Sequence, residues 1–292
     1  MFLSLDDDDD DDDDDDENYD SHNEDENENP STNTEGLKSV SKYDEISTKF
    51  GFESRYALQS LTMTFPAPPG QLDQVDPVTL VGQNGFRQVM TSKPYKVDGI
   101  DVMKYEYKSG VERVFSKDNI GKWSSKIASV CKHAQECDGV VLVYTEYIEG
   151  GAIPVALALE EHGFRRYSGT GSGKNDNLLL NPTLNPDDNP LQASRPRYAM
   201  ITGNKMLTPV SVVSAATSKN NTKGEMIKVI IITKAGSEGI DLKNIRQVHV
   251  IDPWYNLSLI EQVIGRAVRN CSHVDLPFEQ RNVCIFIHGT RL

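Results

Sequence analysis

Two arginines and a glutamine recur at helical spacing near the end of the chain. Gln262, Arg266 and Arg269 occupy positions i, i+4 and i+7 of a predicted helix at 257–269, so their side chains share one face. Guanidinium groups form paired, charge-assisted hydrogen bonds with phosphate oxygens, so this arginine segment (Gln262–Arg269) suits a polyphosphate. The alternative is a basic helix face that contacts only water. The other face is apolar and predicts close packing: Val263, Ile264, Ala267 and Val268.

A second candidate segment follows the most strongly β-like run of the chain. This glycine segment (Thr233–Leu242) reads Thr-Lys-Ala-Gly-Ser-Glu-Gly-Ile-Asp-Leu, with glycines at 236 and 239. Ligands of open α/β sheets bind beyond the carboxyl ends of the strands, and glycines there let backbone amides approach a phosphate. An ordinary strand-to-helix turn has the same composition. The arginine segment that follows in the sequence favours the ligand-binding interpretation.

The elements that must position both segments are those of an α/β protein. Five apolar runs predict strands at 139–145, 198–203, 228–233, 247–252 and 282–287. Helical periodicity and capping residues predict helices at 122–135, 151–162 and 257–269. Because several strands are apolar throughout and helices lie between some of them, the pattern favours a parallel sheet with flanking helices.

Charge divides the chain into segments of different kinds. The whole chain has 44 acidic and 30 basic residues, a formal net charge of −14. Residues 1–36 hold 18 of the acidic residues and no Lys or Arg, whereas residues 37–292 carry 26 acidic against 30 basic residues. The acidic tail cannot bury enough apolar area to offset its ordering entropy, so we expect residues 1–36 to be disordered.

The rest of the sequence predicts one domain with two irregular regions. Residues 37–121 contain a breaker-rich stretch and predict an irregular lead-in, and residues 122–292 form the domain, with an insertion loop at 165–197. No apolar run reaches the ~18 residues of a membrane-spanning helix, so no membrane partner is expected. Four irregularly spaced cysteines fit neither a disulfide framework nor a zinc site, which favours a reducing intracellular compartment.

The two segments resemble motifs of a known family. Gln262-Val-Ile-Gly-Arg-Ala-Val-Arg269 meets every specified position of Q-x-x-G-R-x-x-R, the sixth motif of superfamily 2 helicases, and the glycine segment resembles the fifth. Flanking stretches from Val140 to Glu279 follow in the family order. The chain looks like the branch encoded by large nucleocytoplasmic DNA viruses, akin to poxvirus and mimivirus-like helicases. The resemblance covers about residues 80–290, with its specific motifs at 230–280.

This resemblance implies a RecA-like fold and a role for each matching residue. The chain would be the C-terminal half of an ATP-dependent nucleic-acid helicase or translocase. An arginine finger typically raises turnover roughly 10³- to 10⁵-fold at a phosphoryl-transfer site. The family's roles fall on three groups of residues: arginine fingers at Arg266 and Arg269; nucleotide contacts at Gly239, Asp241 and Gln262; nucleic-acid backbone contacts at Thr145, Thr233 and Gly236. Asp252 and His273 are interpreted as turn and helix-end hydrogen-bonding residues.

Two motifs of a complete motor are absent from these 292 residues. The stretch Ser168–Asn175 imitates a P-loop but departs from the pattern at both ends, and Asp44-Glu45 follows no apolar strand. ATP and its Mg²⁺ would therefore be held by a missing N-terminal RecA-like domain or an adjacent chain, and this chain alone is expected to be inactive. The resemblance further implies DNA or RNA as a partner, a link to viral transcription machinery, and a location in the cytoplasmic viral factory or the virion.

Two other functions fit the same sequence. In one, the chain is a non-catalytic interaction protein whose acidic tail mimics nucleic acid or binds a basic partner, while the α/β body serves as a scaffold. In the other, residues 168–175 serve a P-loop kinase or another nucleotide-binding enzyme. The helicase interpretation requires Arg266 and Arg269 for hydrolysis, whereas the kinase interpretation requires Lys174 for nucleotide binding.

Overall fold

A six-stranded parallel sheet forms the centre of the structure. A computed structural model describes residues 56–68, 70, 74–97, 100–167, 178–181, 195–208, 211–236, 239–253 and 257–290. The strands in chain order are Met90–Val97 (β1), Ile100–Tyr107 (β2), Val140–Tyr144 (β3), Arg165–Arg166 (β4), Arg197–Ile201 (β5), Val229–Ile232 (β6), Ile245–Val250 (β7) and Cys284–Ile287 (β8). The sheet has the order β4-β5-β6-β3-β7-β8, with every pair parallel. This architecture confirms the predicted α/β, RecA-like parallel sheet.

Helices cover both faces of the sheet. They are Gly82–Val89 (α1), Ile120–Trp123 (α2), Ser125–Glu136 (α3), Ile153–Glu161 (α4), Ser211–Ala216 (α5) and Leu257–Ala267 (α6). One core cluster joins the sheet to α1, α3 and α4, and the other joins it to α5 and α6. Strands β3 and β6 are buried along their whole length, which explains their Val- and Ile-rich composition.

The predicted helix at 122–135 is divided in two at Ser124. The backbone of Ser124 is extended, and its hydroxyl accepts a hydrogen bond from the Ile127 amide at 3.1 Å. The same hydroxyl donates to the Thr62 carbonyl at 2.7 Å. Ser124 is thus the N-cap of α3, and it also fastens that helix to the lead-in.

The lead-in differs from the irregular segment expected at 37–121. Its described part contains α1 and an antiparallel hairpin of β1 and β2. Aromatic side chains anchor it in the same core as α3 and α4, with Phe86 and Tyr105 at 5.5 Å between ring centroids. Pro94 lies within β1 and conceals the strand pattern in the sequence. Proline is tolerated there because β1 borders a sheet edge.

The described part of the expected insertion loop, 165–197, is fastened at a buried carboxylate. Glu160 accepts hydrogen bonds from the amides of Leu179 and Leu180, at 2.7 and 2.8 Å, and from the Tyr198 hydroxyl at 2.6 Å. Burial raises the pKa of Glu160, while these hydrogen bonds oppose the rise. Residues 168–177 and 182–194 of the loop, and the acidic tail at 1–36, lie outside the described residues. No helix among the described residues is long and apolar enough to cross a membrane.

Candidate functional site

Three threonines lie side by side where neighbouring strands end. Tyr144 and Ile201 are each in register with Ile232, so the next residues, Thr145, Thr202 and Thr233, form a row at the carboxyl edge of the sheet. The Thr145 amide donates to the Ile232 carbonyl, and the Thr233 amide to the Ile201 carbonyl, both at 3.2 Å. This edge is where open α/β sheets bind their ligands.

The glycine segment begins in the middle of this row. Thr233 is 2% exposed, and its hydroxyl has no hydrogen-bond partner. The chain then turns sharply through Lys234–Gly236, and the Gly236 amide donates to the Thr233 carbonyl at 3.0 Å. A Cβ atom on Gly236 would lie 2.0 Å from the Ile201 carbonyl oxygen, so the turn requires glycine to pack against β5.

Gly239 is required for a different reason. Its φ of +72° lies in the left-handed region, which side chains rarely adopt, and it is exposed. The turn at Gly239 delivers Asp241 to the surface on the side of the arginine segment.

Thr145 is engaged inside the protein. It is 0% exposed, and its hydroxyl donates to Oδ2 of Asp252 at 2.8 Å. The Glu146 amide donates to the same oxygen at 2.6 Å. A Cβ atom on Gly151 would lie 2.0 Å from the Thr145 hydroxyl, so glycine at this position leaves room for the hydrogen bond between Thr145 and Asp252. In this structure Thr145 therefore holds Asp252, and its hydroxyl is not presented to solvent.

Asp252 ties the end of β7 to the end of β3. Burial raises its pKa to about 6, against the opposing effects of the Glu146 amide, the Thr145 hydroxyl and Lys126. Lys126 is also buried and donates to the Ile251 carbonyl at 3.0 Å, and burial lowers its pKa. Sequence alone predicts only a turn role for Asp252, because its partners lie more than a hundred positions away.

The arginine segment departs from the predicted helical face at its end. Gln262 is exposed and Arg266 is half-buried on α6, whose buried side carries Ile260, Val263 and Ala267. The helix ends at Ala267, so Arg269 lies beyond it. Val268, expected to be packed, is 49% exposed for the same reason.

Ser272 and His273 end the helix. The Ser272 hydroxyl donates to the Ala267 carbonyl at 3.2 Å, and the Arg269 amide donates to the Ser272 hydroxyl at 3.3 Å. His273 lies 2.7 Å from the Ile245 carbonyl and 2.8 Å from the Ser272 hydroxyl, which agrees with a helix-end hydrogen-bonding role. Cys271 completes the turn with a φ of +61°. These contacts set the direction in which Arg269 leaves the helix.

Arg269 meets the glycine segment. Its Nη1 lies 3.2 Å from Oδ1 of Asp241, and the two side chains are 65% and 54% exposed. A pair this exposed contributes only ~0–1 kcal/mol, so a phosphate can readily replace the carboxylate as the partner of Arg269. The structure thus brings Asp241 and Arg269 together, while Thr145, Thr233 and Gly236 gather at the strand ends.

Comparison with known proteins agrees with these motifs. Residues 197–271 match the family model of the helicase conserved C-terminal domain. The chain is 29% identical over 184 residues to a protein of Acanthamoeba polyphaga mimivirus named as an ATP-dependent RNA helicase, covering 62% of this chain and 28% of that protein. It is 31% identical over 180 residues to the termination factor NPH-I homolog of African swine fever virus, covering 56% of this chain and 26% of that protein.

A second mimivirus protein named as an ATP-dependent RNA helicase is 25% identical over 239 residues, covering 77% of this chain and 45% of that protein. The chain therefore spans between about a quarter and a half of the length of these relatives. The matched family region contains β5, β6, the glycine segment and the arginine segment. These findings confirm the resemblance drawn from the two segments: residues 197–271 are similar to the helicase conserved C-terminal domain, and the relatives are helicase-type proteins of large DNA viruses.

Proposed function

We propose that this chain supplies the second-domain half of an ATP-dependent motor that acts on nucleic acid. The observation that carries the proposal is the contact between Asp241 and Arg269, at 3.2 Å, which joins the glycine segment to the arginine segment at the surface. A site assembled from both segments has cationic, acceptor and backbone groups on one side of the sheet. That combination suits a nucleoside triphosphate held between two domains.

The polar groups of the two segments fit the nucleotide by their chemistry. Arg266 and Arg269 supply guanidinium donors for the γ-phosphate, where they neutralise the charge that develops during phosphoryl transfer. Gln262 orders the nucleotide through its amide, and Asp241 accepts from the ribose hydroxyls beside Gly239. As the resemblance implies, we assign Mg²⁺ to a first RecA-like domain.

The strand ends fit the nucleic-acid backbone. The Thr233 hydroxyl is buried but has no partner, so a small shift of the turn at Gly236 would open it to a backbone phosphate. Contacts to phosphate and sugar carry little base information, so both DNA and RNA fit this role. Thr145 serves as a positioning residue, because its hydroxyl holds Asp252.

The test joins this chain to a first RecA-like domain and measures nucleic-acid-stimulated ATP hydrolysis. Arg266→Ala and Arg269→Ala should each lower turnover by roughly 10³-fold or more, while nucleotide affinity falls only modestly. Lys219→Ala removes an exposed cation from another element and should leave turnover unchanged. Full turnover in both arginine variants would remove the finger assignment. ATP affinity lost with Lys174→Ala but kept with Arg266→Ala would favour the kinase interpretation.

A further inference from the structure

Strand β8 leaves part of its apolar surface uncovered at one edge of the sheet. Phe286 lies on the α3 face, where it stacks on a histidine ring at 4.5 Å between centroids. Ile285 and Ile287 lie on the opposite face, because they are in register with Val248 and Val250 in the core under α6. They nevertheless remain 44% and 54% exposed. Helix α6 therefore covers the neighbouring strand and leaves these two side chains open.

The two edges of the sheet differ in their protection against further pairing. Strand β4, at one edge, has two residues, both arginine, and short charged edge strands resist pairing. Strand β8, at the other edge, has four residues, and no Asp, Glu, Lys or Arg occurs from 282 to 290. Among the described strands that border a sheet edge, β8 alone lacks a charged residue. Its edge therefore has the character of a strand that pairs with another.

We propose that β8 docks a second copy of this chain, with the two β8 strands antiparallel about a two-fold axis. The sequence Ile285-Phe286-Ile287 reads the same in both directions. Antiparallel pairing centred on Phe286 places Ile285 opposite the partner's Ile287, and Ile287 opposite the partner's Ile285. Each exposed isoleucine thereby faces another apolar side chain.

Charge selects this occupant over others. The chain carries a net charge of −14, yet the paired strands bring no like charges together. A β4 strand pairing with a second β4 strand would bring arginines together. A charged partner strand on β8 would lose its hydration against Ile285 and Ile287 without gaining an opposite charge. A strand that is itself uncharged and apolar on alternate positions fits, and β8 meets that description.

The extent of the contact sets the strength of the association. Four residues at ~3.3 Å each bury well under the ~1,200 Å² of a standard stable interface. The dimer is therefore weak and depends on concentration. Its formation extends the sheet across the axis and leaves the carboxyl edge of each copy free.

Sedimentation of the full chain over a concentration series tests the proposal. At ~0.15 M salt, where repulsion between exposed charges more than ~8 Å apart is largely screened, the average mass should rise from 32.5 kDa towards twice that value. Ile285→Lys combined with Ile287→Lys opposes ammonium groups across the axis and should weaken association by roughly tenfold or more. Val78→Lys changes a similarly exposed residue on another element and should associate like the unmodified chain.

A charge exchange tests the register itself. Mixing the double lysine variant with a variant carrying Ile285→Glu and Ile287→Glu should restore association, because each ammonium group then faces a carboxylate. Circular dichroism confirms that each variant is folded, and Ile285→Thr with Ile287→Thr provides a β-branched pair with less apolar area. The proposal is wrong if the chain stays monomeric throughout, if the lysine variant associates normally, or if mixing restores nothing.

Discussion

At the scale of single residues, Asp252 is the group whose environment most changes its chemistry. It is nearly fully buried, and burial raises its pKa from 3.8 to about 6, so its ionised form is disfavoured in the folded protein. The folded protein binds the Asp252 proton more tightly than the unfolded chain does. This contribution to the free energy of unfolding is therefore fully present below about pH 4 and is lost as pH rises through about 6. A shift of about two pKa units corresponds to ~3 kcal/mol at neutral pH.

We therefore expect Asp252→Asn to stabilise the fold at pH 7.5 relative to the unmodified chain, by up to ~3 kcal/mol. The amide oxygen can still accept from the Thr145 hydroxyl and the Glu146 amide. Denaturant unfolding at pH 4.5 and pH 7.5 measures the effect, and the advantage of the variant should fall to roughly a third at the lower pH. Asp241→Asn makes the same chemical change at an exposed carboxylate and serves as the control. A variant that is less stable by the same amount at both pH values would contradict the expectation.

The sequence predicts some of these residues better than others. The motif from Gln262 to Arg269 predicts the resemblance to helicases that the comparisons confirm, whereas the contact of Asp241 with Arg269 was not predicted. The engagement of Thr145 could not be predicted, because its partner lies 107 positions away in the sequence. Periodicity extends the helix to Arg269, but it carries no information about the Ser272 contacts that end the helix earlier.

At the scale of elements, the glycine segment depends on how closely its turn approaches β5. Gly236→Ala would place a Cβ atom 2.0 Å from the Ile201 carbonyl oxygen and 2.8 Å from the Thr202 amide nitrogen. Both neighbours are backbone atoms, so the turn must shift away from the strand. We expect a loss of ~1–3 kcal/mol in unfolding free energy, as for overpacking elsewhere.

A second glycine provides the matched control for thermal or denaturant unfolding. Gly265 lies inside α6, and a Cβ atom added there would have no other atom within 4 Å, so Gly265→Ala should stabilise by about 0.5–1 kcal/mol. The two variants add the same methyl group and should move stability in opposite directions. Equal effects would mean that the turn at Gly236 is not tightly packed.

The elements of the sheet could be predicted because their physics is local. Continuous β-branched runs such as Val229–Ile232 stay buried on both faces whatever their neighbours are. The hairpin of β1 and β2 was missed although Asp98-Gly99, a typical two-residue hairpin turn, separates the two runs in the sequence. Its packing could not be predicted, because it rests on aromatic contacts such as that of Phe86 with Tyr105. The hydrogen bonds from Leu179 and Leu180 to Glu160 likewise could not be predicted from the sequence of the helix that contains Glu160.

At the scale of the whole molecule, one buried and one half-buried histidine act on the pH dependence of stability with a sign opposite to that of a buried carboxylate. Burial lowers the pKa of His249 to about 3 and that of His288 to about 4, and their rings lie 3.0 Å apart between Nδ1 and Nε2. Their stability contribution is complete above about pH 6.5 and is lost as pH falls, because only the unfolded chain takes up the protons. As pH falls below about 6.5, His249 lowers the free energy of unfolding by about 1.4 kcal/mol per pH unit. Half-buried His288 lowers it by less, because solvent screens its ring.

Between about pH 6 and pH 4 the gain from protonating Asp252 offsets most of the loss from His249, so the unmodified chain should show a shallow decline. His249→Asn removes the larger acid-labile contribution and should flatten or reverse the slope of unfolding free energy against pH. Phe286→Leu disrupts the same ring stack without a titrating group and should lower stability equally at every pH. An unchanged slope in the histidine variant would contradict this assignment.

The hydrogen bonds of Asp252 also have a mechanical consequence. Asp252 is the second residue after β7, and α6 begins five positions later, so the strand that leads to the arginine segment is fixed at this point to the end of β3. A tilt of α6 that moves the end of β7 must either break the hydrogen bonds of Asp252 with the Thr145 hydroxyl and the Glu146 amide, or move Thr145 as well. A displacement of β7 at Asp252 would therefore be passed to Thr145 and the end of β3.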